Sequence, residues 1–246
     1  MNNVNSNRDL NGQRVILLGA SSGIGLATAK AAAAEQAQVV IVSGNEQRIQ
    51  AALQQLPEGS EGYAVDLSRE ENIRSFFGTI GAFDHLVYTA GENLVLNTMN
   101  QTEINDARRF MDIRFWGAFT AVKYGAPLIR QGGSINLIGG TASARPGKGW
   151  GVAAAICGAM EGLVRALAVE LAPVRVNSIM PGIVDTQLWK GLPEADKEAL
   201  FATYNRTLPT GRVGLAEDIA LGYLYLMKQQ YGTGRNLVID GGGVLI

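Results

Sequence analysis

Short β-branched apolar runs alternate with helical stretches along the whole chain, and this alternation restricts the fold more than any other feature. Arg14 to Leu18, Gln38 to Val42, Gly62 to Val65, His85 to Tyr88, Ser134 to Ile138, Arg175 to Met180 and Asn236 to Ile239 read as strands. Most are apolar without a polar alternation, which is the pattern of strands covered on both faces, as in a parallel sheet. Between them lie helical stretches from about Ile24 to Gln36, Glu46 to Leu56, Arg69 to Ile80 and Glu103 to Arg130, the last with a break near Met111. A long helix from Val152 to Ala172, an irregular segment to Arg206 and a helix from Glu217 to Lys228 complete the series. Strand–helix–strand crossovers are right-handed, so the expected class is α/β: one Rossmann-type, doubly wound parallel sheet of about seven strands with helices on both faces. No repeat or linker divides the chain. Residues 1–11 are expected to form a flexible tail and residues 12–246 a single domain.

Composition removes several functions. The chain of 246 residues is 47% hydrophobic and 17% charged with a formal charge of −1. It therefore has no basic field for nucleic acid and no polybasic patch for a membrane surface. One cysteine, Cys157, and one histidine, His85, leave no material for a disulfide framework or a Cys/His metal site. The Asn-rich start has no apolar signal core, and the most apolar helix is interrupted by Glu161, Arg165 and Glu170. The expected location is cytoplasmic.

The turn after the first strand is the most chemically specific segment. Gly19, Ser21, Ser22, Gly23, Ile24 and Gly25 join that strand to the first helix. Glycine there permits a tight turn and brings backbone N–H groups and a helix N-terminus up to a pyrophosphate. Two helices also carry ladders of small residues at four-residue spacing, Gly117-Ala121-Gly125 and Ala154-Gly158-Gly162-Ala166. Each ladder lies on one face of its helix. Two readings stand: close packing on a partner subunit, giving a homodimer or homotetramer through these two helices, or packing on the chain's own sheet.

With those motifs in place, the chain resembles the short-chain dehydrogenase/reductase family over nearly its whole length. Gly19, Gly23 and Gly25 match the family's TGxxxGxG loop, with Leu18 in place of the threonine. Asp66-Leu67 resembles the element that contacts adenine. Ala90-Gly91 resembles the end of the NNAG element, with Tyr88 and Thr89 replacing its asparagines. Asn177, Pro181-Gly182, Val184 and Thr186 fall in the segment that holds the nicotinamide end, and Pro209, Gly211-Arg212 and Asp240-Gly241-Gly242 match C-terminal landmarks. The resemblance implies a nicotinamide dinucleotide as cofactor and a substrate lid at about residues 185–212. Trp189, Leu192, Phe201 and Tyr204 would give that lid an apolar inner face, suited to a small hydrophobic ligand. The second strand ends in Val42-Ser43-Gly44-Asn45, without the acid that accepts from a ribose 2′-hydroxyl in NAD-binding folds. Ser43 and Asn45, with Arg48 nearby, favour NADP(H) over NAD(H).

The same resemblance places the family's catalytic asparagine, serine, tyrosine and lysine at Arg114, Gly140, Ala153 and Cys157. Alanine transfers no proton, and a thiol is a poor substitute for a permanent cation. No tyrosine lies between Gly125 and Tyr204 and no lysine between Lys148 and Lys190, so a small shift of register restores nothing. The expectation is a dinucleotide-binding protein without tyrosine- and lysine-dependent carbonyl reduction. Its forms are a non-catalytic regulatory or partner subunit, or an active oxidoreductase of small hydrophobic carbonyls or alcohols with rearranged groups. Arg114 is expected to project toward the lysine position, with the surface as its alternative. Trp116 and Trp150 are the large residues nearby. Thr141, Ser143, Lys148, Tyr204 and Tyr88 are the remaining candidates for acid–base work, Cys157 is expected as a buried small hydrophobe unless Arg114 lowers its pKa, and His85 as a packing or capping residue.

Overall fold

A computed structural model describes residues 9–92, 94 and 96–246. Seven strands form one sheet: β1 Arg14–Leu18, β2 Gln38–Ser43, β3 Glu61–Ala64, β4 Phe83–Tyr88, β5 Ile129–Ile138, β6 Arg175–Pro181 and, last in the chain, β9 Asn236–Ile239. They are all parallel in the order β3-β2-β1-β4-β5-β6-β9. The strand order reverses beside β1, so the crevice between the C-terminal ends of β1 and β4 is the ligand-binding switch point of such a sheet. Two further strands, β7 Val184–Asp185 and β8 Gly214–Leu215, pair with each other and were not legible in the sequence.

Helices α1 Gly23–Ala34 and α8 Ala216–Lys228 cover one face of the sheet, enclosing Val15, Leu17, Val39, Ile41, Val87 and Ile179. Helices α3 Glu70–Ile80, α4 Ile104–Met111, α5 Ala118–Gly125 and α6 Gly151–Glu170 cover the other, over Ile16, Leu18, Val40, Leu86, Ile135 and Val176. Alternate residues of each strand thus feed two cores, which is why the strands read as unbroken apolar runs. Helices α2 Glu46–Leu53 and α7 Glu194–Thr207 complete the set.

The break expected near Met111 is a π turn, Asp112–Gly117, that joins α4 to α5. Tyr88, at the end of β4, donates its hydroxyl hydrogen to the Ile113 carbonyl inside that turn at 2.5 Å. Gly117 makes the approach possible, because a Cβ there would collide with the Tyr88 hydroxyl and the Leu67 carbonyl. Arg114 lies within this widened turn.

Two expectations need correction. Leu10 is fully buried against the α1–α8 face, so the ordered domain begins before residue 12; residues 1–8 of the expected tail lie outside the described residues. The ladder Gly117-Ala121-Gly125 is buried within the chain, where a Cβ on Gly125 would lie 3.0 Å from the Phe77 ring. It is not a surface for a partner. Gly158, Gly162 and Ala166 are exposed, and a Cβ on either glycine would meet no atom within 4 Å. Helix α6 turns Ile156, Met160, Val164 and Leu167 to the sheet, and Gly158, Gly162 and Ala166 away from it.

Candidate active site

The residues expected to hold a dinucleotide lie on one ledge along the C-terminal ends of the strands. Gly19, at φ +89°, closes against the Ala90 backbone so tightly that a Cβ would overlap Ala90 and Thr89. Thr89 fastens the same junction, its N–H donating to the Leu18 carbonyl at 2.8 Å. Gly25 packs beneath, on the Gly19 carbonyl and the Thr89 hydroxyl. The loop glycines are therefore required by backbone contact in the chain itself.

Ser22 is the N-cap of α1, yet its side chain accepts no bond from the helix. The first-turn N–H groups of Gly23, Ile24 and Gly25 have no intrahelical acceptor and point, with the positive end of the helix dipole, over the ledge. Gly23, at φ +53°, faces Thr186 with a would-be Cβ 3.6 Å from the threonine Cβ. The chain following β6 thus arrives opposite the glycine loop. Ser21 donates to Ser43 across 2.9 Å, linking that loop to the end of β2. Asn45 caps α2, accepting from the Arg48 N–H at 2.9 Å, and Arg48 itself is exposed. Asp66 is exposed, and the hydroxyl and N–H of Ser68 hold its carboxyl below the usual range; Leu67 beside it is buried. Gly-rich backbone, an uncapped helix start and no acid at the β2 end are the donor set a dinucleotide phosphate needs.

Next to the ledge lies a cavity of about 120 Å³. Arg114, Gly140, Ala153 and Cys157, which come from three separate elements and were matched one by one from the sequence, all line it. Pro181 and Gly182 line it too, so cavity and ledge are continuous. Its walls are mostly apolar: Leu94, Leu96, Phe110, Trp150, Ile156 and Trp189. The sequence reading missed Leu94, Leu96 and Phe110. For Phe110 a signal existed, because it stands four residues before Arg114 and so shares its helical face.

Arg114 is fixed from several sides. Its guanidinium lies 4.6 Å over the Phe110 ring, and its Nη2 donates to the Glu92 carbonyl. It packs on Gly91, where a Cβ would stand 2.7 Å from Nη1. Its Nε is shut away from solvent with no hydrogen-bond partner among the described residues. Burial draws the Arg114 pKa down, while Cys157, Glu92 and Tyr88 act the other way. A guanidinium remains charged in any protein environment.

Cys157 is buried, and burial pushes its thiol pKa up despite N–H donation from Ala142 and Ser143 and the charge of Arg114. Arg114 therefore does not make it a thiolate at neutral pH. A Cβ on Gly140 would lie 3.1 Å from its sulfur. The remaining candidates disperse. Trp116 is 56% exposed and points outward, whereas Trp150 faces the cavity. Tyr88 is fully buried and committed to Ile113, and burial lifts its hydroxyl far above the ordinary phenol range. Thr141 stays on the cavity wall, its hydroxyl 3.5 Å from the Pro181 carbonyl, and Ser143 is bound to Glu161. Lys148 is exposed, and neither it nor Tyr204 lines the cavity. Trp189 is buried, its indole N–H on the Val184 carbonyl at 2.8 Å, and it meets Phe201 edge-on at 6.2 Å. Leu192, Phe201 and Tyr204 are half-buried and stand outside the cavity wall.

His85 belongs to a different place, the opposite end of the sheet. Its ring nitrogens lie 2.9 Å from Ser134 Oγ and 2.6 Å from Gln13 Oε1, and Asn136 donates to the same serine at 2.8 Å. Burial first, and then the charge of Arg175, bring the His85 pKa down from 6.5 to about 4.

Residues 19–243 match the family model described as enoyl-(acyl carrier protein) reductase. The short-chain dehydrogenase/reductase ATR9 of Stachybotrys chlorohalonatus is 34% identical over 96% of this chain and 98% of its own. A small-chain dehydrogenase solved in complex with NADPH is 35% identical, with a TM-score of 0.82 over 96% of this chain and 100% of that one. MalC reductase/Diels-Alderase from Malbranchea aurantiaca is 29% identical, with a TM-score of 0.87 over 96% and 97% of the two chains.

Proposed function

The chain belongs to the short-chain dehydrogenase/reductase family, and from that premise we propose that it binds NADP(H) and a small apolar ligand without tyrosine- and lysine-dependent carbonyl reduction. One observation carries this reading. The four positions matched to the catalytic side chains converge on a single cavity, and among them only Arg114 and a raised-pKa thiol can ionise. Neither replaces a hydroxyl that exchanges a proton beside a lysine.

Gly19, Ser21, Ser22, Gly23, Ile24 and Gly25 hold the pyrophosphate; Asp66, Leu67, Ala90 and Gly91 hold the adenosine side; Pro181, Gly182, Val184 and Thr186 hold the nicotinamide. When bound, the dinucleotide supplies or accepts hydride. Ser43 and Asn45 receive the 2′-phosphate, and the NADPH-bound relative supports that choice. The segment at about 185–212 is the lid, fastened at its two ends by the β7–β8 pair.

Fluorescence titration with NADPH and NADH tests the ledge, and a screen of ketones for NADPH oxidation tests the chemistry. The expected result is NADPH binding tighter by about tenfold, from the charge-assisted bonds of one extra phosphate, with no ketone turnover. Absence of dinucleotide binding overturns the reading. Ketone turnover abolished by Arg114→Ala favours the second reading, an active oxidoreductase with rearranged groups. The reductase in the name of the MalC relative supports that alternative. In either case the outward face of α6 is where a second copy docks, giving a cytoplasmic homodimer or homotetramer.

A further inference from the structure

We infer that the ligand of the cavity is a small apolar molecule with one carboxylate, and that Arg114 receives that carboxylate. The inference rests on the cavity being the ligand site proposed above, and it names the ligand's chemistry.

The argument begins with charge. Among the described residues, Arg114 is the one charged side chain on the cavity wall, and no aspartate or glutamate lines it. Among the described residues Arg114 forms no ion pair, although most of the other arginines and lysines that approach an acid do so at the surface. Glu92 accepts its hydrogen bond through the backbone carbonyl, and the Glu92 carboxylate forms no ion pair with it. A half-buried guanidinium without a close counter-ion carries a desolvation cost that an anion at its fork would offset.

Geometry gives the second part. Phe110 beneath the guanidinium and the bare backbone of Gly91 beside it fix the plane of the fork, so little side-chain freedom is lost when a partner arrives. A neutral carbonyl would satisfy an N–H and leave the charge unmatched; a carboxylate satisfies both, and its flat shape fits the fork.

Size gives the third. An apolar protein cavity of about 150 Å³ accepts benzene. At about 120 Å³, with Leu94, Leu96, Ile156, Trp150 and Trp189 around it, this one takes a body of roughly one ring. A monocarboxylic acid with an unbranched or single-ring apolar body therefore fits, whereas a sugar or a polyol would leave its hydroxyls facing hydrocarbon.

The test compares benzoate with benzamide, which share shape and differ in charge, by calorimetry on the full chain in excess NADPH. Benzoate is expected to bind at least about tenfold more tightly. Arg114→Gln should bring the ratio to about one, with Arg114→Lys retaining part of it. Equal binding of acid and amide by the unaltered protein, or no binding of either, overturns the inference, and neither result needs a variant that folds. An Arg114→Gln protein that keeps the benzoate preference but loses NADPH affinity assigns the guanidinium to the dinucleotide and also overturns it. NADPH titrated alone reports on the ledge separately, so failure of the cofactor reading and failure of the acid assignment give different results.

Discussion

Helices α5 and α6 carry the same small-residue spacing and use it in opposite ways. On the first, together with the π turn that leads into it, Gly117, Ala121 and Gly125 are buried, while Trp116 and Phe119 stand 56% and 41% exposed. On the second, Ile156, Met160, Val164 and Leu167 are buried, while Gly158, Gly162 and Ala166 face outward. One helix is small inside and large outside; its neighbour is the reverse. A four-residue ladder identifies a face, and only the partner across it decides what the ladder is for. On α5 that partner is Phe77 and Tyr88 of the same chain.

This contrast can be broken by substitution. Gly117→Leu drives a side chain into Tyr88 and Leu67, and urea denaturation should show a loss of about 3 kcal/mol or more. A loss no larger than that of a surface change would remove the inward half of the comparison. Acid tests the same interior from its far end. Because His85 is held neutral to about 4 while the unfolded histidine titrates near 6.5, the unfolded state binds more protons between those values. Its stabilisation is complete above pH 6.5 and is lost as pH falls to about 4, amounting to about 3 kcal/mol. Denaturation midpoints measured across that range should fall in the unaltered protein and fall less in His85→Gln. Gly125→Ala must displace the Phe77 ring slightly, and the same denaturation assay should read a cost of roughly 1 kcal/mol.

Gly158→Ala is the smallest change and the most telling. Nothing within 4 Å opposes its methyl group. Alanine should therefore stabilise the isolated chain by about 0.5–1 kcal/mol, through helix propensity alone. If a second copy packs there, the same methyl group should shift size-exclusion elution toward the smaller species, and the gain should become a loss.

Much of this was legible before any coordinates. The seven strands announced themselves as apolar runs because both faces of each are covered, and the break near Met111 fell where the π turn occurs. Strand β5 starts earlier than its apolar core because Ile129 pairs with Phe83 of β4 and an irregular stretch follows before Ser134 pairs with His85, which leaves no hydrophobic trace. The β7–β8 pair is two residues long on each side, too short for any periodicity. Trp116 and Trp150 look alike in sequence as large residues near the site; the π turn sends the first to the surface and the short turn before α6 sends the second into the cavity. Leu94 and Leu96 reach the cavity from an irregular loop, where no spacing rule applies.

The two tight contacts around the cavity have a bearing on how this site could change. A Cβ at residue 140 would crowd the Cys157 sulfur, and a Cβ at residue 91 would crowd the Arg114 guanidinium. Each bulky member occupies space that its glycine leaves free, so the residues form two interlocked couples. A side chain placed at 140 requires the Cys157 sulfur to give way by a few tenths of an ångström. Volume thus couples residue 140 to residue 157 and residue 91 to residue 114.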